Sequence, residues 1–150
     1  MQSKAFWVKK DKIYSVPISK NHIDFIYENA NLFNIDKQHI ESLYEKHNEK
    51  PLIEGVARIE IIKEVCKNDD WIRCRIYRSK NQYYTTIQTF DLDKNKIYVI
   101  NLLEYLRKEN LIDTYEDIRI GSYKDEKSLR FNSYTEVINK LIGGVYGEKH

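Results

Sequence analysis

The residues of this chain best suited to binding chemistry lie in one short run, Trp71–Arg78. If the run forms a strand, its side chains alternate between the two faces of a sheet. Ile72, Cys74 and Ile76 then form an apolar row that requires a core. The opposite row combines guanidiniums, which pair with phosphates, and aromatic rings, which stack on exposed bases. Its members are Trp71, Arg73, Arg75 and Tyr77.

The segment that follows extends this row onto a second strand. Tyr83–Phe90 comes after a polar turn at residues 79–82, which predicts an antiparallel hairpin. If Thr85 and Ile87 face the core, Tyr84 lies beside the arginines, and a one-residue change of register would invert this arrangement. We call the predicted binding set the Arg/aromatic strand face. It consists of Trp71, Arg73, Arg75, Tyr77 and Tyr84.

The Arg/aromatic strand face has two interpretations. If it is open to solvent, it predicts contact with a protein or with a single-stranded nucleic acid. The alternative is that Trp71 and Tyr77 pack under a helix, with the arginines paired to Asp69, Asp70 or Glu64. The 25 basic and 23 acidic residues leave a net charge of +2, so the chain has no general attraction to polyanions. A nucleic-acid site must therefore be a local patch.

Patterns typical of enzymes and metal sites are missing from the sequence. His39 and His47 are about two helical turns apart, too far to chelate one ion without a third element. Gly143–Gly144 follows a predicted helix, whereas a phosphate-binding loop precedes one. We therefore predict no catalytic residue, metal ligand or cofactor. A small enzyme acting on nucleotides or nucleic acid remains an alternative, and it would need His22 or His39 beside two carboxylates.

The length and composition predict a single domain, residues 1–150, with one sizeable core. Cys66 and Cys74 fall in apolar patterns, which favours buried, reduced thiols and a cytoplasmic location. The sequence shows no signal peptide, transmembrane run or lipidation motif, so we expect no contact with a membrane. A structural or assembly protein that forms a homodimer through the sheet face is a third functional alternative.

The order of predicted elements indicates an α+β fold. A hairpin is expected over residues 5–16 and a further strand over 117–123. Helices are expected over residues 22–33, after Asp36, over 54–66 and 91–108, and after a capping box of Ser133 and Glu136. Hairpins separated by helices predict an antiparallel sheet with helices packed on one face. Residues 146–150 are expected to form a loose tail.

Scattered positions give the chain a resemblance to known sequences. His22, Phe33, Gly55–Arg58 and Trp71–Arg75, with Phe6–Val8 near the start, resemble a pattern in uncharacterised short proteins of bacteriophages and other mobile elements. The resemblance covers residues 5–90. It implies a small accessory protein that binds host or viral macromolecules, and it implies no activity.

Overall fold

A six-stranded sheet forms the centre of the fold in this computed structural model, with the strand order β2-β1-β3-β4-β5-β6. The structure describes residues 2–50 and 55–146, and of 144–146 it describes the backbone alone. The expectation of a loose tail at 146–150 therefore falls almost entirely outside the described residues. The strands are β1 (Lys4–Lys9), β2 (Lys12–Val16), β3 (Trp71–Arg78), β4 (Tyr83–Thr89), β5 (Ile118–Ser122) and β6 (Lys127–Phe131).

Both predicted hairpins are present. β1 and β2 are joined by a tight turn in which Lys10 has a positive φ of 53°. β3 and β4 are antiparallel, with Arg73 opposite Gln88 and Tyr77 opposite Tyr84. Because residues opposite each other in a pair share a face, the register places Tyr84 on the side of the arginines, as predicted.

The predicted α+β fold is confirmed, and within the described residues four of the five strand pairings are antiparallel, but one is parallel, so the sheet is mixed. β4 and β5 run parallel, because the helix α4 (Leu92–Lys108) carries the chain back across the sheet between them. Parallel neighbours require a crossover of this length. β6, which pairs antiparallel to β5, was not predicted from the sequence. Only Leu129 and Phe131 mark its apolar side, too few for a clear alternation.

Helices cover both faces of the sheet, so the prediction of helices on one face is wrong. α4 and α5 (Tyr134–Tyr146) pack on the face that carries Ile72, Cys74 and Ile76. The opposite face carries Trp7 and Trp71 and is covered by α1 (His22–Glu28), α2 (Lys37–Lys46) and α3 (Val56–Asp69). β3 is buried on both sides because it is a central strand between two apolar layers.

Two helices differ in detail from the prediction. α1 ends at Glu28, five residues early, and the Asn29 side-chain amide donates to the Phe25 carbonyl there. In α3, the apolar pattern predicts a broad buried face, and five of its seven members are buried: Ala57, Ile61, Ile62, Val65 and Cys66. The other two, Val56 and Ile59, are 51% and 55% exposed. In the described part of the chain, no helix combines the length and hydrophobicity needed to span a bilayer.

Candidate functional site

Trp71 lies at the start of β3 and is fully buried, so the interpretation that its indole is open to solvent is wrong, and the alternative that it packs under a helix is confirmed for this residue. Its ring lies 4.5 Å from that of Phe33 and 6.3 Å from that of Trp7, between ring centroids. Asp70, in the left-handed conformation, turns the chain sharply from α3 into β3 and so places Trp71 beneath the helical layer. Trp71 belongs to the core and cannot contact a partner.

Arg73 is also covered and only 3% exposed, against expectation. Its Nε donates to Nδ1 of His22 at 3.2 Å, and its Nη1 donates to Oε1 of Gln88 at 3.3 Å. Its Nη2 is buried without a partner. Because Nδ1 of His22 accepts a hydrogen bond, the proton of the neutral imidazole must be on Nε2.

The surroundings keep the His22 imidazole neutral. Burial lowers the pKa of His22 to about 3, and the charges of Arg73, Arg75 and Arg58 add to this effect. Burial likewise lowers the pKa of Arg73 to about 9, with further contributions from the like charges of Arg75 and Arg58. These shifts share one physical cause, which is positive charge held close together at low dielectric.

The acids that could have neutralised these arginines are engaged elsewhere. In the part of the chain that the structure describes, arginine ion pairs involve only Arg78, Arg119 and Arg130. The alternative in which the strand arginines pair with nearby acids is therefore not observed. The three acids concerned form other pairs: Asp69 with Lys9 at 2.5 Å, Asp70 with Lys94 at 3.0 Å and Glu64 with His39 at 2.7 Å.

Arg58, Arg73 and Arg75 form what we call the arginine cluster. Each leaves a buried guanidinium nitrogen with no hydrogen-bond partner in the described part of the chain: Nε of Arg58, Nη2 of Arg73 and Nε of Arg75. The positive charge of each contributes to the lowered pKa of His22. A buried polar atom without a partner costs about 1–3 kcal/mol, and more when it is charged. An anion bound here would remove this cost.

A row of alternating charge and aromatic rings runs from the cluster across the sheet. The Arg75 guanidinium lies 5.2 Å from the Tyr77 ring centroid, and the Tyr77 and Tyr84 rings are 4.7 Å apart. The Arg119 guanidinium lies 4.0 Å from the Tyr84 ring centroid. We call Arg75, Tyr77, Tyr84 and Arg119 the arginine–tyrosine row. All four side chains are half-buried on the face opposite α4 and α5.

Arg119 was missed by the sequence prediction. It lies beside Thr86 through the parallel pairing of β4 and β5, which the sequence did not reveal. Arg119 and Arg130 both donate to Asp117, at 3.1 Å and 3.0 Å. Partial burial favours the neutral carboxyl, but the hydrogen bonds from both guanidiniums lower the pKa of Asp117 overall. Asp117 is therefore an ionised acid at the end of the row.

A pocket of about 230 Å³ opens between the start of α1, the start of α3 and β3, and Arg75 and Tyr77 line it as well as belonging to the row. Among the described residues, its walls include His22 and no Asp or Glu. The cations that line it are Lys4, Lys20, Arg58 and Arg75. A separate pocket between α1 and α2 has the opposite character, with the acids Asp24, Glu41, Glu45 and Glu49 in its walls. The small net charge thus conceals two pockets whose lining residues carry charge of opposite sign.

The arrangement required for the enzyme alternative does not occur among the described residues. His22 is surrounded by guanidiniums, and His39 is paired with one carboxylate, Glu64. Within those same residues, no group of three or more His, Cys, Asp or Glu side chains is placed to hold a metal ion. Cys66 and Cys74 are free and buried, and burial raises the pKa of each thiol to about 12, so neither is a ready nucleophile.

Comparison with known proteins gives no relative. No family model matches the sequence, and no curated protein or solved structure matches it either. Any inference about function therefore rests on the residues of the arginine cluster, the pocket and the row.

Proposed function

We propose that this protein is a non-enzymatic binding module that holds a single-stranded nucleic acid across the arginine–tyrosine row. The observation that carries the proposal is the pair of half-buried tyrosine rings between two guanidiniums, Arg75 and Arg119. Aromatic rings on a sheet stack unpaired bases, at about 1–3 kcal/mol per base, and guanidiniums contact the phosphates between them. Stacking of this kind needs no particular base sequence.

A nucleic-acid strand fits the row better than a protein partner does. The row carries two positive groups, and the positive pocket lies beside it. Protein interfaces usually centre on an apolar patch, whereas this surface offers polar rings and charges. We place the module among accessory proteins of phages and mobile elements, as the resemblance of residues 5–90 implies.

The test is a fluorescence anisotropy titration with a labelled oligonucleotide of about 12 nucleotides, a length within the usual site sizes. We expect Tyr84→Leu to weaken binding roughly tenfold, because one stacking platform is lost. The matched control is Arg107→Gln with Tyr134→Leu. Arg107 and Tyr134 form a similar stack, 4.8 Å apart, on the opposite side of the sheet.

The salt dependence of binding separates phosphate contacts from stacking. Each phosphate contact on a single strand contributes about −0.7 to the slope of log affinity against log salt. A variant with Arg75→Gln and Arg119→Gln should therefore lose about 1.4 from this slope. If the variants of the row bind as tightly as the parent, with the same slope, the proposal is wrong. Light scattering on the same samples would show whether the face forms a homodimer instead.

A further inference from the structure

We propose that the pocket beside the row binds a terminal phosphate group, that is, a phosphate monoester. The pocket and the row share Arg75 and Tyr77, so a strand with its end phosphate in the pocket would place its first bases on Tyr77 and Tyr84. The inference rests on the proposed function for the source of the phosphate, since a free nucleotide offers the same group.

His22 supplies a fixed neutral donor to the pocket. Its Nδ1 accepts from Nε of Arg73, which leaves the proton on Nε2. Nε2 has no hydrogen-bond partner among the described residues, and His22 is one of the residues that line the pocket. Because the imidazole is 7% exposed and held by Arg73, its orientation is set before a ligand arrives. Such a preorganised donor costs little ordering on binding.

The charge in the pocket is positive and largely uncompensated. Of the four cations in its walls, Lys20 has an acid partner, Glu28, at 2.8 Å. Arg58 and Arg75 have none among the described residues, and each has a buried Nε without a partner. The nearly buried Arg73 adds a third guanidinium with a free Nη2 behind His22. Several donors and no acid on the walls are what a group with several acceptor oxygens requires.

A phosphate monoester matches this set better than the diester of a strand interior does. Above its second pKa, near 6, a monoester carries close to two negative charges and three strong acceptor oxygens. An internal diester carries one charge and two free oxygens. The planar forks of Arg58 and Arg75 suit bidentate contacts with such oxygens, and the N–H of His22 provides a further donor. The internal diesters of the strand would contact the arginine–tyrosine row instead.

The experiment compares three oligonucleotides of one sequence by anisotropy, with a 5′ phosphate, a 3′ phosphate or neither. We expect one phosphorylated end to bind at least about tenfold more tightly, because one or two charge-assisted hydrogen bonds are gained. Arg58→Gln, which removes one guanidinium from the pocket and none from the row, should bring the ratio of the two affinities close to one. Lys63→Gln on the same helix is the control. Thermal unfolding checks that both variants fold.

In a second arm, inorganic phosphate or a nucleoside monophosphate is added and the midpoint of thermal unfolding of the protein is measured. If the oligonucleotides bind equally with and without an end phosphate, the terminal-phosphate inference is wrong and the strand-binding function stands. If no oligonucleotide binds, but either small anion raises the midpoint of the parent and not of Arg58→Gln, the phosphate site stands and the strand is not its source. If nothing binds in either arm, both proposals fail.

Discussion

The two halves of β3 carry buried arginines in opposite electrostatic states. Arg78, at the carboxyl end, donates from Nη2 to both oxygens of Glu116, at 2.7 Å and 2.8 Å. The two side chains are 1% and 0% exposed. Glu116 also accepts from Oγ1 of Thr85 and from the backbone N–H of Asp113. Arg73, five residues earlier and nearly as buried, has a neutral imidazole and an amide as its partners.

The difference separates a structural arginine from a binding one. The Arg78–Glu116 pair is neutral as a unit and makes several further hydrogen bonds, although Nε of Arg78 has no partner among the described residues, so the pair can remain buried without a ligand. The arginine cluster has no acid partner among the described residues, and its charges held together cost free energy in the absence of an anion. Strained, unneutralised groups of this kind concentrate at functional sites. Four predictions test this distinction.

Removing the acid from the paired half should have the largest effect. Glu116→Gln would leave the Arg78 guanidinium buried without a counter-charge, and we expect a loss of about 3–5 kcal/mol in the free energy of unfolding. Urea denaturation measures this. The double variant Arg78→Met with Glu116→Leu should recover most of the loss, because it removes the unpaired charge as well. A loss below about 1 kcal/mol for Glu116→Gln alone would show that the pair is not the structural element we describe.

The sequence reveals the arginines of both halves but not their partners. Alternation in residues 71–78 and 83–90 is enough to place Arg73, Arg75, Tyr77 and Tyr84 on one face, because strand periodicity is a local property. Glu116 lies in a segment of mixed polarity, 38 residues from Arg78, with no pattern to mark it as buried. Its role depends on how β4 and β5 come together, which is tertiary information.

What packs on the Arg/aromatic strand face could not be predicted from the sequence either. Alternation predicts which side of a strand a residue faces, and not what packs on that side. Trp71 and Arg73 share a face with Tyr77, yet they lie under the helical layer of α1–α3, while Tyr77 lies beyond it. The apolar stripe of α3 would have been a useful signal, since a helix with a wide buried face needs an apolar surface such as Trp7 and Trp71 to pack against.

His22 should make stability depend on acid pH. Its pKa is about 3 in the folded protein and has an ordinary value of 6.5, so the unfolded chain binds a proton between these values and the folded one does not. The stability from the neutral imidazole is complete above pH 6.5 and is lost as the pH falls towards 3. Between pH 7 and pH 4.5 this amounts to about 2–3 kcal/mol.

Urea denaturation at the two pH values, for the parent and for His22→Gln, isolates this contribution. The glutamine can still accept from Arg73 and does not titrate, so the variant should show a smaller pH dependence. Carboxylates contribute equally to both proteins and cancel in the comparison. Equal pH dependence in the two proteins would mean that burial and the arginine cluster do not lower the pKa of His22 as the structure indicates.

Replacing Arg73, which has no acid partner among the described residues, should change the free energy of unfolding little. We expect Arg73→Met to change the free energy of unfolding by no more than about 1 kcal/mol, since the loss of two hydrogen bonds is offset by relief of repulsion within the cluster. Arg78→Met is the matched variant on the same strand, and it should lose several kcal/mol because Glu116 would be left as a buried, unpaired charge. Equal losses in urea denaturation would erase the distinction between the two halves of β3.

The smallest effect is expected at Asp117, where the row meets its one acid. The two pairs that it forms with Arg119 and Arg130 are partly exposed, so Asp117→Asn should cost less than about 1 kcal/mol of stability. It should also free two guanidiniums for phosphate contacts and strengthen strand binding about threefold, with a steeper salt slope. Asp125→Asn, an exposed loop acid, makes the same change in net charge away from the row.

The comparison between these two variants shows whether strand binding depends on the position of the removed charge or only on the net charge of the protein. If both strengthen binding equally, the strand senses the net charge of the protein, and the row has no specific part in binding. If only Asp117→Asn does so, the guanidiniums that Asp117 holds, those of Arg119 and Arg130, contact the strand. In that case Asp117 neutralises Arg119 weakly and reversibly, whereas Glu116 neutralises Arg78 inside the core. The carboxylate partner then determines whether an arginine stabilises the fold or binds a ligand.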